Sequence, residues 1–273
     1  MKHLITLTTL CCLFFACDDT EKKATEKLQT ARTLFEQGNY NEAKKQIDSI
    51  KILYPKAFEV RRAGIGLMQE IELKEQTRTL AYLDSTLQVK QQEVDAVRGA
   101  YTFEKDTAYQ RVGNYFHPSQ VVERNLHRSF LRFQVDEAGV MSMTSIYCGT
   151  AGIRHTAVKV TAPDGSFAET PTSGDRYDTT DLGEKIEKVD YKMGQDGNVI
   201  GFLYLNRNHN IRVTFVGTRP YSTVMSATDR QAVAAIYELA KLLSSVTEIK
   251  KDMEETQVRI KFIQERMQAP SAQ

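Results

Sequence analysis

The most polar candidate for chemistry between residues 99 and 226 is Gly174-Asp175-Arg176-Tyr177-Asp178-Thr179-Thr180-Asp181. Three carboxylates on one loop could gather calcium through their oxygens. Their spacing is not that of an EF-hand, and Arg176 sets a competing charge among them. The stretch therefore reads as a solvated loop, and no metal site is assigned. Glu184, Glu187 and Asp190 continue the acidity as a possible strand face. Arg124, Arg128 and Arg132 with His127 form a basic cluster, which reads as the charged guard of a strand edge, with an anion or headgroup contact as the other use.

The remaining chemistry-bearing residues are dispersed. His117, His127, His155 and His209 show no H-x-x-x-H spacing, and the chain has no C-x-x-C pair. His209 falls in the run Asn206-Arg207-Asn208-His209-Asn210 and reads as a hairpin turn. No serine lies in a G-x-S-x-G elbow, and neither a phosphate-binding loop nor a dinucleotide fingerprint is present. Cys148 closes the strand-like run Met143 to Tyr147 and reads as a buried structural thiol. No catalytic residue and no cofactor is assigned. With no Trp, stacking on a sugar would fall to tyrosines such as Tyr101, Tyr109, Tyr147 or Tyr177.

These residues belong to a 273-residue chain that is 41% hydrophobic and 26% charged, with a formal net charge of +1. That balance suits a soluble folded protein and carries no electrostatic footprint for nucleic acid. Outside its first residues the chain has no apolar run of membrane-spanning length.

The N-terminus reads as an address. Met1-Lys2-His3 is positive, Leu4 to Phe15 is apolar or hydroxylic, and small Ala16 precedes Cys17. Leu13-Phe14-Phe15-Ala16-Cys17 resembles the lipobox of bacterial lipoproteins. The resemblance implies removal of residues 1–16 and a lipid anchor on Cys17, holding the chain to a membrane with about 0.8 kcal/mol per buried CH₂. Residues 17–26 then read as a solvated tether. Its start, Asp18-Asp19, is similar to acidic export signals after the cysteine of surface-displayed lipoproteins, which implies the outer membrane and points to the cell surface. An Asp directly after the cysteine also resembles inner-membrane retention signals.

Residues 27–55 read as a helical hairpin: Leu28, Ala31, Leu34 and Phe35, a turn at Gly38-Asn39-Tyr40, then Ala43, Ile47, Ile50 and Leu53, ended by Pro55. Ala31, Leu34, Gly38, Tyr40, Ala43 and Pro55 resemble one tetratricopeptide unit. Two long helices are predicted at 56–98 and 227–268. The second carries Ala232, Ala235, Leu239, Leu242, Val246, Ile249, Met253, Thr256, Ile260, Ile263 and Met267, in alternating steps of three and four. Thr228 and Gln231 have capping-box spacing at its start. The first carries Val60, Ala63, Leu67 and Ile71, then Leu80, Leu83, Leu87, Lys90, Val94 and Val97. Gly64 and Gly66 cost about 1 kcal/mol each relative to Ala, which points to close packing there. Near-equal lengths point to an antiparallel coiled-coil stalk within one monomer, with a coiled-coil dimer as the other way to bury the seams.

Between 99 and 226 the period becomes two. Leu131, Phe133 and Val135 alternate with Arg132 and Gln134. Turns fall at Asp136-Glu137-Ala138-Gly139, Pro163-Asp164-Gly165 and Gly194-Gln195-Asp196-Gly197, and Val199 to Leu205 reads as a further strand. The expectation is an α+β chain: hairpin, stalk and an inserted antiparallel sandwich or open barrel of seven or eight strands, with a tail at 269–273. The function expected is a non-enzymatic, lipid-anchored envelope lipoprotein that displays its β domain to an unknown protein or glycan. An envelope polysaccharide- or peptide-acting enzyme and a periplasmic peptide-binding scaffold are the other readings.

Overall fold

The structure, a computed structural model, describes residues 4–108 and 111–269, with side chains of the first helix from Asp19 onward. The expected signal peptide, the expected lipidation residue Cys17 and Tyr109 therefore lie outside the described residues or side chains. The fold is mixed α+β with two antiparallel sheets. It divides into two compact units: residues 1–85 with 252–273, and residues 86–251.

The first unit is helical. Helix α1 spans Leu4–Glu36, α2 Tyr40–Leu53, and α3 Phe58–Arg98, whose later turns belong to the second unit. From Asp19 to Glu26 the chain is helical rather than an unstructured tether, because Ala24 is fully buried and supplies the contact that the charged flanks lack. Gly38 ends α1 in the left-handed region (φ 77°), where its N–H reaches Phe35 O and that of Asn39 reaches Leu34 O, a Schellman closure. Ala24, Leu28 and Ala31 of α1 pack with Ala43, Ile47 and Ile50 of α2 and with Val60, Leu67 and Ile71 of α3. Gly64 explains itself there: a Cβ would sit 3.3 Å from Ile47 Cγ2. Gly66 has open space around it, so close packing accounts for only one of the two glycines.

Among the described residues the second unit holds ten strands. One sheet runs β1 (Thr102–Glu104), β2 (Asn114–Phe116), β3 (Phe130–Asp136), β4 (Met141–Gly149), β8 (Glu184–Lys192), β7 (Arg176–Asp181). The other runs β10 (Tyr221–Val224), β9 (Arg212–Val216), β5 (Ala157–Thr161), β6 (Phe167–Glu169). Alternation decides which face is buried: Leu131, Phe133, Val135, Met143 and Val189 of the first sheet join Val158, Val160, Val213 and Phe215 of the second in one apolar cluster. Val94 of α3 and Leu239, Ala240, Leu243 and Val246 of α5 (Ala227–Gln268) belong to the same cluster. In this part of α5 the buried stripe is wider than the heptad seam, since Val233, Ile236, Ala240 and Leu243 are buried beside Ala232 and Leu239.

Three further expectations are corrected. Val199–Leu205 is a helix, α4, not a strand. Its buried residues Val199, Ile200 and Leu203 have helical spacing, and the buried Asp196 carboxylate accepts the Gly194 and Ile200 N–H groups at 3.0 and 2.7 Å, fixing its first turn. The acidic run beginning at Gly174 is not a loop throughout, because Arg176–Asp181 forms β7 at the edge of the six-stranded sheet. Helix α5 is capped by Ser226, not Thr228: the Asp229 N–H reaches Ser226 Oγ at 3.0 Å, and Ser226 Oγ donates to Asp229 Oδ2 at 2.6 Å.

Candidate functional site

The outer face of the six-stranded sheet carries alternate residues of β3, β4 and β8, and the register aligns Phe130 with Ile146, Ile146 with Lys188, and Cys148 with Ile186. The segment His117–Arg128, with 3₁₀ turns at Pro118–Gln120 and Val122–Arg124, lies over one end of this face. Beneath it is a recess of about 90 Å³. Phe130, Ile146 and Ile186 give it an apolar floor, while Val122, Leu126, His127, Arg128, Cys148 and Lys188 are among its walls.

The covering segment is held by buried polar groups. On β3, strand β2 covers only Gln134–Asp136, leaving the earlier ladder groups on that side, away from β4, without a strand neighbour. The fully buried Gln120 side chain takes that place: its Nε2 donates to Leu131 O and its Oε1 accepts the Phe133 N–H, both at 2.9 Å. Asn125 Nδ2 ties back to Ser119 O and Val121 O. Arg128 donates to Asn125 Oδ1 and forks onto buried Asp229 at 3.0 and 2.6 Å. Arg132 donates to Gln120 O, faces Glu104 at 3.3 Å, and stacks 3.8 Å over Phe116. The expected basic cluster is thus not a strand edge. Strand β3 is interior to its sheet, and Arg128 and Arg132 are consumed in holding the cover, while Arg124 lies in the second 3₁₀ turn.

At the other end, Glu184 accepts from both His127 Nδ1 and the Cys148 thiol. This hydrogen bond and charge raise the His127 pKa above its ordinary 6.5 and lower that of Glu184. Burial, then the nearby carboxylate, push the Cys148 thiol up to about 11. A thiol so placed stays protonated and is no nucleophile at neutral pH. The wall is strained at His127 (φ 60°), which holds left-handed backbone without being glycine; Leu182 (φ 45°), 84% exposed, makes the β7–β8 hairpin turn with Gly183 (φ 86°).

A second constellation lies on the inner face and has no signature in sequence. Ser145 Oγ is 2.9 Å from His155 Nε2, and His155 Nδ1 is 3.0 Å from Glu187 Oε2. The order of groups is that of a serine–histidine–acid relay. Here Ser145 and His155 are fully buried, so a substrate carbonyl has no line of approach. Burial lowers the His155 pKa and keeps the ring neutral. Glu187 has a different task, accepting the N–H groups of Ile153, Arg154 and His155 at 2.7 to 2.8 Å. Burial alone would raise its pKa; these backbone bonds and His155 outweigh that and hold it low. The three positions Glu184, Glu187 and Asp190 therefore do not share one strand face, because Glu187 points inward.

The other expected residues separate. Tyr101 donates to Ala235 O, Tyr147 is buried and donates to Ala151 O, and Tyr177 is exposed, so these three form no common stacking surface. His117 accepts the Ser119 N–H in the covering segment. His209 follows α4 and precedes β9, so its turn joins a helix to a strand and is not a hairpin. Among the described residues no group of three His, Cys, Asp or Glu is placed to hold a metal ion. Asp178 pairs with Arg176 at 2.6 Å, and Asp181 lines the recess. No described helix is long and apolar enough to cross a membrane. No family model, no curated protein and no solved structure matches the chain.

Proposed function

We propose that this protein is a lipid-anchored lipoprotein of the cell envelope that binds a ligand in the recess of its β unit and catalyses no reaction. The observation that carries the binding role is the recess itself, where an apolar floor meets charged walls under a cover that buried Gln120 and Asp229 hold in place. Strain at His127 falls in its wall, where binding surfaces concentrate such costs. The anchor rests on Leu13-Phe14-Phe15-Ala16-Cys17, and the outer membrane with cell-surface display on the acidic residues that follow. In this reading the two sheets pack as a sandwich. Helices α3 and α5, of 41 and 42 residues, pair as an antiparallel coiled-coil stalk that keeps the β unit clear of the membrane.

The test is membrane fractionation and protease shaving of intact cells, comparing wild type with Cys17→Ala. Wild type should sediment with the outer membrane and be shaved while periplasmic markers survive, and the variant should be released. A Cys17→Ala protein that stays membrane-bound sinks the anchor. Protection of the wild type until the outer membrane is breached moves the binding role inside the envelope. The stalk has its own test: Ile263→Asp, at a buried seam position, should lower the melting temperature. An unchanged melt rules the pairing out.

A second reading, a peptide-binding scaffold, draws on a 450 Å³ groove in the helical unit lined by Ile47, Ile50, Lys51, Arg61, Met68 and Glu72. It requires that deletion of residues 27–55 abolish partner capture while the β unit stays folded.

A further inference from the structure

The charged walls of the recess are mostly spent on one another. Arg128 is held by Asp229, Arg132 by Gln120 and Glu104, and His127 by Glu184. Lys188 is the exception among the cations. It lines the recess in mid-strand, half-buried, and has no hydrogen-bond or ion-pair partner among the described residues. Across the sheet it is flanked by Ile146 of the floor and by Tyr177. The acidic liners stand elsewhere. Asp181 pairs in register with Glu184, four residues along β8 from Lys188 and so about 13 Å away. Asp181 also helps to raise the His127 pKa, which places its field on that histidine. The recess is polarised, with a free ammonium over its apolar floor and the carboxylates at its far end.

An ammonium partly withdrawn from water is completed by an anion, and a charge-assisted bond formed beside an apolar floor is stronger than one in bulk water. Resting on the binding role proposed above, we infer that the recess takes a small amphipathic monocarboxylate, with its carboxylate on Lys188 Nζ and its aliphatic group on Phe130, Ile146 and Ile186. Volume sets the size. An apolar cavity of about 150 Å³ holds six-carbon benzene, so about 90 Å³ admits an aliphatic group of about four carbons at most. Charge sets the class. A dicarboxylate would carry its second anion towards Asp181 and Glu184, and an alkylammonium would meet Lys188 as a like charge. The same chemistry is offered by a free short-chain acid and by the C-terminal carboxylate of a peptide ending in an aliphatic residue.

The experiment is ligand-observed NMR on the full chain in nanodiscs, titrating isovalerate, isovaleramide, glutarate, the peptide Gly-Gly-Leu and its C-terminal amide against wild type and Lys188→Met. Isovalerate should saturate in the millimolar range or below, with isovaleramide and glutarate about tenfold weaker or more. Lys188→Met should lose about tenfold in isovalerate affinity while keeping its melting temperature. Tighter binding of Gly-Gly-Leu than of isovalerate, abolished by amidation, identifies a chain terminus as the source; the reverse order identifies a free acid. Equal binding of acid and amide, or an unchanged Lys188→Met affinity, overturns the carboxylate inference and leaves a recess that binds apolar groups. No saturation by any of the five overturns both the inference and the binding role of the recess, and leaves the anchor to be judged by fractionation.

Discussion

Arg128 and Asp229 meet through two guanidinium nitrogens, although 101 residues separate them in the chain. The pair joins the cover of the recess to the first turn of α5, and Ser226 and Gln120 converge on the same carboxylate. Asp229→Asn should destabilise the protein by about 2–3 kcal/mol, below the 3–5 of a fully buried pair because Arg128 is about a third exposed. The double variant Arg128→Met with Asp229→Asn should recover part of that loss in chemical denaturation. Additive losses would show that the two side chains are not energetically coupled.

The histidines His155 and His127 should titrate on opposite sides of 6.5, the former below it and the latter above. For His155 the unfolded chain takes the proton first, so its contribution to stability is complete above about pH 6.5 and is lost as pH falls below it. For His127 the folded chain holds the proton longer, so its contribution is present below about pH 6.5 and is lost as pH rises through the raised value. His127 is exposed, and solvent screening makes its share the smaller. Long-range ¹H–¹⁵N spectra of the two rings between pH 5 and 8 decide the matter. A His155 ring that protonates above pH 6.5 contradicts the burial argument.

Cys148 should alkylate slowly. Raising a thiol from 9.0 to about 11 cuts its thiolate fraction at pH 8 by about 100-fold. Peptide-resolved mass spectrometry after iodoacetamide treatment reads this residue alone. Glu184→Gln removes the charge that faces the thiolate and should speed the reaction; an unchanged rate would assign the whole shift to burial.

Two glycines with positive φ separate strain from collision. At Gly165 (φ 89°) a Cβ meets nothing within 4 Å, so Gly165→Ala should cost about 1 kcal/mol from backbone strain. At Gly139 (φ 87°) a Cβ would fall 2.2 Å from the Ser244 backbone nitrogen of α5. Gly139→Ala must therefore displace a helix as well, and should cost about 3 kcal/mol or more. Equal melting temperatures for the two variants would contradict the close approach of the β3–β4 turn to α5.

Where local chemistry decides the structure, the sequence is readable. Gly38 closes α1 as the Gly-Asn-Tyr turn predicts, and Leu131, Phe133 and Val135 face the core by simple alternation. Val199–Leu205 misleads because a seven-residue apolar run carries no periodicity, and the deciding contact is the Asp196 carboxylate. The recess is illegible for a stronger reason. Lys188, Ile146 and Phe130 are unremarkable in sequence and become neighbours only through the β3–β4–β8 register. The same holds for Ser145, His155 and Glu187, which β4–β8 pairing brings together across 42 residues of numbering.

The Glu187 carboxylate carries a consequence for the order of folding. It satisfies three successive amides of the chain that follows β4, at sequence separations of 32 to 34 residues. That stretch contains Arg154 in left-handed backbone, a conformation with little to hold it locally. It cannot take its final path until β8 has docked beside β4. The link between the two sheets through Ile153 and His155 should then form late, on the native side of the rate-limiting barrier. Weakening it should leave the refolding rate almost unchanged and appear almost entirely as faster unfolding.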